Sequence, residues 1–112
     1  MNFREWYDKQ CKLDNYIMEN MGLTNIVSHE DLLQERILAL MVEVSEFANA
    51  TRCFKYWSIK GSESRERLLD EMADMMHFIP SIWESCGFEP EEVEGAYDKK
   101  YKVNIERQLN NY

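Results

Sequence analysis

The sequence predicts an all-α fold, a bundle of four to five helices with its acidic motifs on the two central ones. Two observations predict it. Apolar residues recur at helical spacing, as in Phe3, Trp6, Tyr7, Leu13, Tyr16, Ile17 and Met21, a pattern that suits an amphipathic helix and not an alternating strand. Break signals at Gly22, at Gly61 with Ser62, and at Gly87 with Pro90 divide the chain into segments of helix length.

Residues 1–112 form a single domain, long enough for one core yet small enough that partner subunits could complete it. Thirteen Lys and Arg against 21 Asp and Glu give a formal charge of −8. That balance argues against nucleic acid and membrane surfaces as partners. A polyphosphate ligand would need bridging metal ions. Cys11, Cys53 and Cys86 have neither CxxC nor Cys/His metal spacing, so they read as reduced thiols and not as a disulfide framework. The start of the chain has no apolar signal core and no run reaches membrane-spanning length, which makes the cytoplasm the expected location.

The first helix covers residues 2–21 and closes at Gly22. Gln10 and Asp14 sit on it as an i, i+4 pair, which by spacing alone reads as exposed. Ser28-His-Glu-Asp31 has the form of an N-cap with acids in the first turn. The second helix runs from there to about Phe54. Its centre, Ile37 to Val42, is the most apolar run and is expected to be the buried spine. His29 is assigned to the exposed helix start. The third helix begins near Ser62 or Ser64, carries Glu71, Asp74 and His77, and meets Pro80, where a kink or break is expected. Pro90 opens the last helix, with Glu91 and Glu92 at the positive end of its dipole.

Glu43 with Glu46, and Glu71 with Asp74, are carboxylate pairs three residues apart. Each pair shares a helix face. Other i, i+3 acids, such as Glu63/Glu66 and Glu89/Glu92, read as solvated faces. The first two pairs keep different company: Ala39, Leu40 and Phe47 beside one, Leu68, Met75 and Phe78 beside the other. Carboxylates facing a core call for cations or strong donors, because burying an unpaired charge costs several kcal/mol.

Glu43-x-x-Glu46 followed by Glu71-x-x-Asp74 resembles the metal-binding signature of the all-α nucleoside triphosphate pyrophosphatases, which include the MazG-like proteins and the dimeric dUTPases. Asn49-x-Thr51-Arg52-Cys53-Phe54-Lys55-x-Trp57 is close to the run that follows the first acidic pair in dimeric dUTPases. Ala96-Tyr97-x-x-Lys100-x-x-x-Asn104-x-x-Arg107-Gln108 resembles their closing helix. The resemblance runs from about Gln10 to Tyr112. It departs from the family at Ala50 and Tyr101, and in the short stretch between Asp74 and Pro90.

The resemblance implies hydrolysis of dUTP to dUMP and pyrophosphate by a homodimer or dimer of dimers. Mg²⁺, with Mn²⁺ as a substitute, would be held by Glu43, Glu46, Glu71 and Asp74. Glu46 would orient or deprotonate the attacking water. Arg52, Lys55, Lys100, Asn104 and Arg107 would meet phosphate and sugar, while Gln10, Asn49 and Trp57 would shape the base pocket. The rival expectations are a MazG-like pyrophosphatase of other or broad base specificity, and a catalytically silent helical module that regulates a partner.

Overall fold

A computed structural model describes residues 1–111; Tyr112, the last residue of the resemblance, lies outside the described residues. The described residues fold as four α-helices and one 3₁₀ turn: α1 (Phe3–Asn20), the turn Glu30–Leu32, α2 (Leu33–Thr51), α3 (Arg65–Cys86) and α4 (Pro90–Leu109). The all-α expectation holds.

Local chemistry sets the boundaries. Asn2 caps α1 by accepting from the Glu5 N–H, and Ser64 caps α3 by accepting from the Arg67 N–H. Gly87 ends α3 in the left-handed region at φ 73°, a conformation glycine adopts without a Cβ penalty. Glu89 and Glu92 close a reciprocal capping box ahead of α4. The second helix is shorter than its sequence pattern. Ser28 and Asp31 do exchange hydrogen bonds, but the turn they close leads into the 3₁₀ segment and not directly into α2, and α2 stops at Thr51 because Arg52 turns left-handed at φ 59°.

The helix does not break at Pro80, which lies buried within a continuous α3. Proline cannot donate to the carbonyl four residues back, that of Met76. The indole N–H of Trp6 donates to that oxygen at 3.0 Å. Around this point Trp83 is boxed by Phe3, Trp6 and Tyr7, with ring centroids 5.5, 5.3 and 6.5 Å away. Arg4 forks onto Glu89 and Glu91 and so ties the start of α1 to the start of α4.

The principal packing pair is α2 against α3, through a stripe on α2 of Arg36, Leu40, Glu43, Phe47 and Ala50. Much of the rest of α2 is uncovered. Leu38 and Met41 are 61% and 60% exposed, and Ile37, Val42 and Val44 are exposed beside them. The central apolar run is therefore not a buried spine: one chain supplies a neighbour for only one side of it. Leu13, Tyr16, Ile17 and Met21 likewise make an open apolar face on α1. Helix α4 touches α1 and α3 but makes no contact with α2 among the described residues.

Candidate functional site

Three of the four predicted carboxylates converge. Glu43 of α2 and Glu71 and Asp74 of α3 each offer an oxygen, and these oxygens lie within 4.8 Å of one another. The heptad stripe that packs α2 on α3 carries Glu43 inward, and the matching stripe on α3 carries Glu71. Glu71 is 4% exposed and accepts from the Arg67 guanidinium at 2.7 Å. The Glu43 carboxyl is held above its usual range, first by partial desolvation and then by the charges of Asp74, Glu46 and Glu71. Clustered acids in this state favour a bound cation, and three hard oxygen donors suit a divalent ion such as Mg²⁺.

Glu46 stands apart from this trio. An i+3 step leaves it rotated about 60° from Glu43, so it lines an exposed groove with Leu38, Met41, Val42, Ser45, Asn49 and Phe54. It is still close enough for its charge to act on Glu43. Asn49 occupies the same groove.

The loop after α2 uses its basic residues unequally. Arg52 donates to the Lys60 carbonyl at 3.2 Å and to Ser58 Oγ at 3.0 Å, which folds residues 52–60 back on themselves. The Lys55 ammonium lies 5.7 Å over the Phe54 ring. Trp57 is 65% exposed, edge-on to Phe54 and Tyr56. Lys100, Asn104 and Arg107 are exposed on α4. Within one chain α4 makes no contact with α2, the helix of Glu43, among the described residues.

Gln10 and Asp14 are neither exposed nor open to a ligand through Gln10's amide. Both are buried. Gln10 Nε2 donates to Asp14 Oδ1 at 2.9 Å, and Gln10 Oε1 meets His77 Nδ1 at 2.8 Å. Ser81 Oγ donates to Asp14 Oδ2 at 2.6 Å. Beside them Arg36 is buried, 3.6 Å from Asp14 and donating to the Ser81 carbonyl and Ser85 Oγ. The His29 imidazole lies 2.7 Å from Glu84 and 3.1 Å from Arg36. His29 is thus a half-buried member of this network and not an exposed helix start. A cavity of about 260 Å³ opens between α1 and α3, lined by Trp6, Lys9, Gln10, Ala73, Met76 and His77.

Sequence reasoning missed Arg36, Ser81, Ser85 and Glu84. A faint signal existed: Gln10/Asp14, His77/Ser81 and Ser81/Ser85 repeat at i, i+4, the interval of one helix face.

Residues 2–84 match the dUTPase family. The protein of Enterobacteria phage T4 named dCTP pyrophosphatase is 26% identical over 99 residues; the match covers 74% of this chain and 58% of that relative's own length. No solved structure matches the chain.

Proposed function

Because the chain belongs to the dUTPase family, we propose that it is a Mg²⁺-dependent nucleoside triphosphate pyrophosphohydrolase that converts dUTP and water to dUMP and pyrophosphate. The observation that carries this reading is the convergence of Glu43, Glu71 and Asp74 from two helices onto one point. Mn²⁺ would substitute for Mg²⁺ there. A cation held by these three would screen phosphate charge and acidify water.

The chain's own residues supply the rest. Glu46, exposed on α2 three residues after Glu43, takes the proton of the attacking water. Lys55 neutralises phosphate oxygens, and Arg52 serves by holding the loop that presents Lys55 and Trp57. Asn49 and Trp57 are exposed where a nucleoside could lie against them, and Gln10 forms part of the wall of the cavity between α1 and α3.

Lys100, Asn104 and Arg107 fit the reading if a second copy delivers its α4 to the acids, because among the described residues α4 makes no contact with α2 within one chain. Two quantities favour such a copy. The chain exposes 8581 Å², against about 6,500 Å² for a compact monomer of this mass. Its radius of gyration is 17.5 Å, against about 13 Å for a compact domain of this length. The surplus area is of the size that obligate dimers bury.

The relative named dCTP pyrophosphatase favours a second reading, with dCTP as substrate. Assay of dUTP, dCTP, dTTP and the purine nucleotides with Mg²⁺, and again with excess chelator, decides between them. We expect dUTP first and no turnover in chelator. Preference for dCTP selects the second reading, equal turnover of all selects a broad MazG-like activity, and no turnover of any rejects hydrolysis.

A further inference from the structure

The hydrogen bonds around Gln10 assign a protonation pattern by elimination. Asp14 faces the Ser81 hydroxyl, the Gln10 amide and the Arg36 guanidinium. A carboxylate only accepts. Gln10 must therefore turn its NH₂ toward Asp14 and its carbonyl oxygen toward His77 Nδ1. That oxygen also only accepts, so Nδ1 must carry the proton. In a neutral imidazole the remaining nitrogen, Nε2, is then an acceptor.

His77 is exposed as a residue. Its Nε2 has no hydrogen-bond partner among the described residues. The ring lines the cavity between α1 and α3, whose other walls are largely apolar: Trp6, Ala73, Met76 and the stem of Lys9. At about 260 Å³ this space suits a single planar ring better than a whole nucleotide. His77 lies three residues after Asp74 on the same helix, so a ring held here is near the acidic trio.

We propose that Asp14 is a positioning residue which, through Gln10, locks His77 in the Nδ1–H tautomer, so that Nε2 receives an N–H donor on the edge of a pyrimidine base. The inference rests on the nucleotide reading for its ligand, but the lock itself does not. Uracil offers its ring N3–H and cytosine its exocyclic amino group. Both present the same chemistry, and blocked analogues tell them apart.

The chain contains two histidines, so a ¹⁵N-histidine spectrum of the full chain without nucleotide resolves the tautomer, with His77→Gln assigning the signals. Wild-type His77 should be the Nδ1–H form. Asp14→Asn should reverse it: Ser81 and Arg36 keep the amide oxygen, the new NH₂ faces Gln10, Gln10 flips, and Nδ1 becomes the acceptor. If Asp14→Asn does not fold, Gln10→Leu should lower the Nδ1–H fraction. An Nε2–H ring in the wild type, or a tautomer unmoved by these variants, overturns the lock.

For the ligand, dUTP is compared with its N3-methyl analogue and dCTP with its N4,N4-dimethyl analogue. Blocking the donor of the true substrate should cost about tenfold in kcat/KM, mostly through KM. In Asp14→Asn that penalty should vanish, whereas a merely steric penalty would persist and would overturn the base contact. Absence of hydrolysis with any nucleotide rejects the pyrophosphohydrolase reading, while the spectrum still decides the lock.

Discussion

The Trp6 indole N–H donates to the Met76 carbonyl at 3.0 Å, the oxygen that Pro80, four residues on, cannot serve. A proline inside a helix interior usually costs about 3 kcal/mol, partly through that orphaned acceptor. Here α1 supplies the missing donor, and the same indole packs edge-on against Trp83 at 5.3 Å. The helix carrying Glu71 and Asp74 is thereby braced just beyond the acids.

This relationship predicts a coupling. Trp6→Phe should destabilise the protein by about 1 kcal/mol beyond its packing loss, the worth of one hydrogen bond. In a Pro80→Ala background the backbone N–H returns, and the same substitution should cost about 0.5–1 kcal/mol less. Urea unfolding of the double-mutant cycle measures it. Equal penalties in both backgrounds would show that the indole bond does not compensate for the proline.

The acidic trio predicts a stability that depends on pH and on metal. With its carboxyl raised, Glu43 binds a proton more tightly folded than unfolded. Its contribution is therefore fully present below the unfolded carboxylate value, about pH 4, and is lost as pH rises through the raised value. Without divalent cations Glu43→Gln should melt higher than wild type at pH 7, with the advantage gone below about pH 4. Mg²⁺ should raise the melting temperature of the wild type and not of the variant, whose hydrolysis should fall by at least about 100-fold. A variant that melts lower at neutral pH would refute the repulsion.

How much of this was legible in the chain depends on what each residue type signals. Gly22, Ser64, Gly87 and Pro90 stand at the helix ends because capping and φ preferences are local, and local chemistry can be read residue by residue. Glu43, Glu71 and Asp74 could be picked out because they keep apolar company. Glu46 could not be separated from them, since the 60° that divides it from Glu43 matters only once α3 is in place. The network of Gln10, Asp14, Arg36 and Ser81 was hidden for a different reason. Each residue looks like a solvent-facing residue of an amphipathic helix, and only its partners on other helices make burial tolerable. Conversely, the apolar run Ile37 to Val42 signals a need for cover without saying which chain provides it.

That need predicts assembly. At micromolar concentration the protein should scatter light as a dimer or larger, because Leu13, Ile17, Leu38 and Met41 leave open apolar faces on two helices. Leu38→Glu with Met41→Lys on the α2 face should shift the population toward monomer and reduce hydrolysis along with it. A wild-type mass of 13.4 kDa would refute assembly, and a fully active monomeric variant would show that α4 of a second copy is not needed.

The buried network predicts that Arg36 matters to stability more than any surface cation. The residue is 7% exposed and its guanidinium faces Asp14, Glu84, Ser85 and the Ser81 carbonyl, so it joins α1, α2 and α3 at one point. Arg36→Met would fill much of the volume but leave the Asp14 and Glu84 carboxylates facing each other's helices without their cation. Breaking a buried pair in this way costs about 3–5 kcal/mol, a large part of the 5–15 kcal/mol that holds a typical domain together. Arg67→Met, at a half-exposed guanidinium that pairs with Glu63 and Glu71, should cost less because water can replace it. Denaturant midpoints of the two variants give the comparison. A loss at Arg36 no greater than that at Arg67 would mean that the hydroxyls of Ser81 and Ser85, and not the cation, hold the acids in place.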